Sequence, residues 1–297
     1  MRKALFISTL LLCISAPVMA QHVQVAQARR AYQEKDYTEA KRLIEDAMKD
    51  PELALDAYAW LIRGYIYKDI YKNVDNGNPS SLAREGALEY AMKAMELDTT
   101  RDQVFFSDGY KLYDHLAKTY YNDAARAMNL MDHESAVLFF DRFKETVLNL
   151  SPDADLDVKE VEFYNALATV YTKLYNDDRV QLEYFKKAIA TYQKVLYIDN
   201  ENYGANYNMA TMWYNRGVYN IKLISPDNDI PSINKIQQVS KEFFFQALPF
   251  MLKAYEQNPK RKEILIGLEG IYYSLQDLEK SEFYKTKHTE LYGEDDH

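Results

Sequence analysis

Cysteine, glycine and proline are scarce in this chain, and each scarcity excludes something. Cys13 is the only cysteine among 297 residues, so no disulfide can close within the chain and no thiolate cluster can hold a metal. Nine glycines and eight prolines leave most of the backbone free to be helical. Beyond the first twenty residues no stretch approaches eighteen consecutive apolar residues; the nearest, Phe243-Phe244-Phe245, is interrupted by Gln246. No membrane-spanning helix is expected there. Positive charge is also in deficit, with 36 Lys and Arg against 45 Asp and Glu, a formal charge of −9. So acidic a chain repels phosphate backbones and anionic lipid, which argues against nucleic-acid and peripheral membrane binding.

What is present begins with a short basic start, Met1-Arg2-Lys3, an apolar run from Ala4 to Ile14, and small residues up to Ala20. The pattern predicts a secretory signal peptide over 1–20, cut after Ala20 to leave Gln21 as the new N-terminus, and a periplasmic or secreted product. Leu12 is too bulky for the position before a lipidated cysteine, so Cys13 is not expected to carry an anchor. Loss of the two basic residues takes the formal charge to −11.

Residues 21–297 carry a repeat. Its clearest unit begins Ala59-Trp60-Leu61-Ile62-Arg63-Gly64-Tyr65-Ile66-Tyr67 and closes with Ala87, Ala91, Ala94 and Leu97-Asp98. A large residue, a small one four later and an aromatic three beyond, facing a second helix with alanines seven apart, allow two antiparallel helices to approach closely. The grammar recurs around Ala28, Tyr32 and Ala40; around Leu116-Ala117, Tyr120 and Ala136; around Leu167-Ala168, Tyr171 and Ala188; around Met209-Ala210, Trp213 and Ala247; and, more weakly, around Leu268-Glu269, Tyr272 and Ser281. The series resembles the tetratricopeptide repeat. That resemblance implies an all-α chain, an α-solenoid of about six antiparallel hairpins forming one domain, in which first helices line an inner binding face. The abundance of Tyr, Asn and Lys is similar in style to proteins of the Bacteroidetes.

From the small residue of each first helix to that of the second, the family uses twelve positions. Here the intervals are 12, 23, 19, 20, 37 and 12. Seven or eight extra residues amount to about two helical turns, one per helix, so the third and fourth hairpins should be taller. In the second copy Asn76-Gly77-Asn78-Pro79-Ser80-Ser81 reads as a loop; in the fifth, Ser225–Pro231 does, ahead of a second helix of about 25 residues restarting near Ile233. Either loop is a spacer or a contact point for a partner.

Catalytic signatures are missing. There is no Gly-x-Ser-x-Gly, no phosphate-binding Gly-rich loop and no dinucleotide fingerprint, so neither an enzyme nor a cofactor is expected. His115 and His133 fall in one repeat but on different parts of a hairpin, which argues against a shared metal. Asp153, Asp155 and Asp157 lack the glycine turn and distant glutamate of a calcium loop. The carboxylate clamp of some tetratricopeptide modules finds Asn165 and Asn208 in suitable places, but Glu263 and Gly267 stand where Lys and Arg would be needed.

Binding is where the residues point. By spacing, the first-helix face opposite the second helices carries Tyr58, Tyr65, Lys111, Asp114, Lys118, Tyr121, Asn165, Thr169, Tyr207, Thr211, Tyr214, Asn215 and Tyr273. This set is rich in Tyr and Asn, which supply rigid contact area and adaptable hydrogen bonds. Trp60 and Trp213 are assigned to the core, and the same tyrosines could equally be packing between repeats. The expected function is a non-catalytic scaffold or adaptor for a protein or peptide in a bacterial cell envelope. The alternative is a soluble glycan- or solute-binding protein using the same groove.

Overall fold

The computed structural model describes residues 15–293, with side chains from residue 23 onward. The predicted leader thus lies largely outside the described residues. Twelve α-helices follow one another: α1 Ser15–Gln33, α2 Tyr37–Ala47, α3 Ala57–Asp69, α4 Leu82–Leu97, α5 Val104–Asn129, α6 His133–Leu150, α7 Asp157–Asp177, α8 Leu182–Ile198, α9 Tyr203–Lys222, α10 Ile230–Gln257, α11 Lys262–Ser274 and α12 Leu278–Tyr292. There is no strand among the described residues, and no helix there is long and apolar enough to cross a membrane.

The helices pair as consecutive hairpins, in which α1 packs on α2, α3 on α4, α7 on α8, α9 on α10 and α11 on α12. In the remaining hairpin Tyr121 of α5 packs on Phe140 and Phe143 of α6. Two compact units result, one of Met1–Ala127 with Glu134–Ala154 and one of Met128–His133 with Asp155–His297. Within each, a hairpin's first helix also touches the next first helix, as α1 does α3, α7 does α9 and α9 does α11. The chain is therefore all-α and built of α-solenoid hairpins, three to a unit.

Local chemistry explains the punctuation. Between the helices of three hairpins one residue takes a left-handed conformation, Lys35 (φ 63°), Met131 (φ 61°) and Gln276 (φ 65°). An aspartate follows it each time, and Asp36 and Asp277 accept hydrogen bonds from the backbone of Glu39 and Lys280, capping α2 and α12. The inner helices are long, as spacing predicted: α5 has 26 residues and α7 has 21, against 13 in α11. The longest is α10 with 28, starting at Ile230 and not near Ile233, because Asp229 caps it and Pro231 needs no N–H in the first turn.

The insertion in the second copy is more than a loop. After α3 the chain widens into a π-helical turn over Ile70–Val74 before the turn at Asp75–Ser81. The segment is pinned by Arg84, whose side chain is fully buried. Its guanidinium donates to Asp123 Oδ2 at 2.6 Å, Thr119 Oγ1 at 3.2 Å and the Pro79 carbonyl at 2.5 Å, and lies 3.7 Å from the Tyr120 ring centre. α4, α5 and the inserted turn are thereby joined through one buried ion pair.

Candidate functional site

The first helices of the first unit create a groove. Gly64 lets α3 approach α4 and α5: a Cβ there would stand 2.9 Å from Leu112 Cδ2 and 3.6 Å from the Ala91 backbone nitrogen. Gly109 does the same for α5 on α4, where a Cβ would meet Met95 Cγ at 2.8 Å. The face left over on α1, α3 and α5 encloses a cavity of about 360 Å³ lined by Arg29, Tyr32, Gln33, Tyr58, Ile62, Tyr65 and Asp108.

Its polar groups hold one another in place. Arg29 Nη1 donates to the Tyr58 hydroxyl at 3.0 Å, and the Tyr58 ring packs 5.7 Å from Phe105. Tyr32 donates to Asp69 Oδ2 at 2.7 Å; burial first, and then that carboxylate, push its phenol well above the usual range. Lys68 sits 5.6 Å from the Tyr65 ring centre and pairs with Asp69 at 2.9 Å. Burial and Asp108 raise the Tyr65 phenol as well. Partial desolvation lowers the pKa of His115, and Lys68 and Lys72 lower it further.

Of the residues expected on this face, Tyr58 and Tyr65 line the cavity. Lys111 pairs with Asp108 at 3.1 Å and Lys118 with Asp114 at 2.6 Å, both on the exposed side of α5. Tyr121 corrects the assignment: its ring lies 5.2 Å from Phe143 and 6.1 Å from Phe140, inside the α5–α6 hairpin and not opposite it. It stands four residues past Ala117, one turn on, where a helix of 3.6 residues per turn has rotated toward its partner.

In the second unit the expected residues do not gather into one cavity. Asn165 donates to Asn202 at 3.3 Å, linking α7 to the cap of α9, and Thr169 returns its hydroxyl to the Asn165 carbonyl. Tyr207 stacks on Tyr203 with 6.1 Å between centres, and Arg261 covers both rings. Thr211 donates to the Tyr207 carbonyl at 2.9 Å. Asn215 is half-buried, and Tyr273 is 67% exposed on α11. Tyr214 is the second correction. It packs 5.6 Å from Phe244 of α10, and its hydroxyl fills the space a Cβ of Gly270 would need, at 2.5 Å. It is half-buried against α10 and α11, at the edge of the core, and burial raises its pKa. Trp60 and Trp213 are half-buried, Trp60 donating to the Ala54 carbonyl and Trp213 stacking 5.6 Å from Phe243.

Arg29, Tyr32, Gln33 and Asp108 line the groove and were not among the expected residues. Arg29 was within reach, because it follows Ala28 as Tyr65 follows Gly64. Asp108 had no such signal. Among the described residues no three His, Cys, Asp or Glu gather as a metal set. His115 and His133 fall in different units, and His133 packs on Tyr171 and Tyr184.

No protein-family model matches the chain, and no curated protein does. Among solved structures the chain is similar to YrrB, described as a TPR protein with an unusual peptide-binding site, at 15% identity and TM-score 0.36, over 86% of this chain and 93% of that one. It is similar also to PilW, described as a widely conserved type IV pilus biogenesis factor, at 14% identity and TM-score 0.33, over 91% and 93% of the two chains. The MamA protein matches at 14% identity and TM-score 0.33, over 77% and 91%. At such scores the likeness adds no argument, and the fold rests on the hairpins themselves.

Proposed function

We propose that this chain is a non-catalytic adaptor, exported to a bacterial cell envelope, that holds a segment of a partner protein on the inner face of its first unit. The observation that carries this reading is the groove of about 360 Å³ spanning three successive first helices, with Tyr32, Tyr58 and Tyr65 as rigid walls and Arg29 and Asp108 as fixed charges of opposite sign. A partly open groove shared by three helices suits a chain segment better than a small molecule, which a protein ordinarily surrounds on most sides. Tyrosine and arginine are the side chains that most often anchor interfaces. Export is supported by the basic, apolar and small-residue succession of the first twenty residues.

The test is capture from an envelope extract by the immobilised protein, beside Tyr58→Ala/Tyr65→Ala. Truncating anchor aromatics costs about 2 kcal/mol or more, roughly thirtyfold in affinity, so the double variant should lose its partner at unchanged helicity. Unchanged capture would remove the groove from consideration. Saturable binding of glycan fragments, abolished by the same pair, would replace the adaptor reading with a solute-binding one.

A further inference from the structure

A second cavity, of about 430 Å³, lies in the second unit. It exists because the fifth repeat is enlarged: α10 carries extra turns at its N-terminal end, and these stand against the C-terminal ends of α9 and α11. Asn234, Gln237, Gln238 and Lys241 project from α10 into it, Gln276 closes it from the turn after α11, and Phe244 forms its floor. Gln276 is fixed there by a left-handed backbone, φ 65°.

The composition of this lining is selective. No carboxylate lines the cavity, although the chain as a whole carries a charge of −9. Lys241 lies 5.8 Å from the centre of the Phe245 ring and has no acidic partner among the described residues. None of the four carboxamides is tied to a protein partner either. Each offers two donors and an acceptor, which matches a ligand that alternates N–H and C=O. The α10 residues recur at i, i+3, i+4 and i+7 and so form one row. At 1.5 Å per residue it runs about 10 Å from Asn234 to Lys241, the length of about three residues of extended chain. Phe244 is only 4% exposed, so the cavity offers no open ring on which a sugar or a base would stack.

We infer that this cavity is a second binding site, distinct from the first-unit groove, for a short extended peptide with a carboxylate near Lys241. The carboxamide row pairs with the peptide backbone while the ammonium neutralises the acid. The site shares no lining residue with the first-unit groove, so the chain can engage an acidic tail independently of what the groove holds.

The test uses a fluorescein-labelled pentapeptide of three alanines and two glutamates with a free C-terminus, titrated by anisotropy against the full protein. The parent should bind saturably. Lys241→Glu, and separately Gln237→Ala/Gln238→Ala, should each weaken binding about tenfold or more; all three positions are solvent-exposed, so circular dichroism should not change. A peptide with glutamines for glutamates and an amidated end should bind at least about tenfold more weakly. Tyr58→Ala/Tyr65→Ala should bind the probe as the parent does, which separates failure of this site from failure of the groove. No saturation up to about 1 mM, binding that survives both α10 variants, or loss of binding in the tyrosine variant would overturn the assignment. So would saturable binding of trigalacturonic acid, sensitive to Lys241→Glu, in place of the peptide.

Discussion

The two units build the same hairpin with different fillings. In the first, the tightest approaches, at Gly64 and Gly109, are to Leu112, Met95 and alanine backbone, with tyrosine rings only at the looser Gly86, and the interior admits a charged pair, Arg84 with Asp123, in which neither side chain is exposed. In the second, two of the three tightest approaches are to aromatic rings: Gly217 faces Phe244 and Gly270 faces Tyr214, while Gly267 faces Met251. A small residue at the helix crossing is thus a requirement of geometry alone. What fills the adjoining space is free to vary, and the choice sets how each unit fails and which face remains available for binding.

The sharpest way to break the comparison is to remove one charge from the first unit. Arg84→Met should cost about 3–5 kcal/mol, because Asp123 is left buried without its partner and the Pro79 carbonyl loses its donor. Arg126, which also bonds Asp123, moderates the loss. Thermal unfolding should show it, and Arg84→Met/Asp123→Leu should recover most of the stability, since a well-packed apolar replacement is close to neutral. A double variant no better than the single one would show that the pinned turn at Asp75–Ser81, and not the charge, holds the hairpin.

Gly270→Ala should come next, at about 1–3 kcal/mol, because its Cβ would stand 2.5 Å from the Tyr214 hydroxyl. Adding Tyr214→Phe removes the clashing oxygen and should restore part of the melting temperature. Gly64→Leu, in the first unit, should cost a similar amount by forcing α3 from α4 and α5. If Gly270→Ala melts with the parent, the Tyr214 ring is not fixed and returns to the binding face.

The smallest effect concerns pH. Partial desolvation, with Lys68 and Lys72, holds the pKa of the largely exposed His115 below the usual histidine value. The unfolded chain therefore binds the proton more readily, and stability falls as pH drops through the ordinary histidine range toward the lowered value. Above that range the group contributes nothing. His115→Asn should melt at a slightly higher temperature than the parent near pH 5.5, and with it at pH 8. A difference that persisted at pH 8 would mean that packing, not protonation, is responsible.

By itself the sequence determined the class of the fold. Few breakers, small residues facing one another at set intervals and aspartates after three of the turns leave a helical hairpin as the arrangement that buries the apolar stripes, and the lengthened inner helices follow from residue counts. Tyr65, which directly follows Gly64, lines the groove as its phase implied, because side-chain direction is fixed by helical phase near the small residue that anchors the crossing. One turn farther, the phase drifts, and Tyr121 and Tyr214 rotate toward hairpin cores that spacing alone could not distinguish from the open face. Arg84 reads in sequence as an ordinary surface cation, since nothing local reveals that Asp123 waits 39 positions away. Only the tertiary structure decides such pairings, for burial and charge neutralisation are properties of neighbours in space, and the carboxamide row of α10 becomes a cavity only when α9 and α11 close around it.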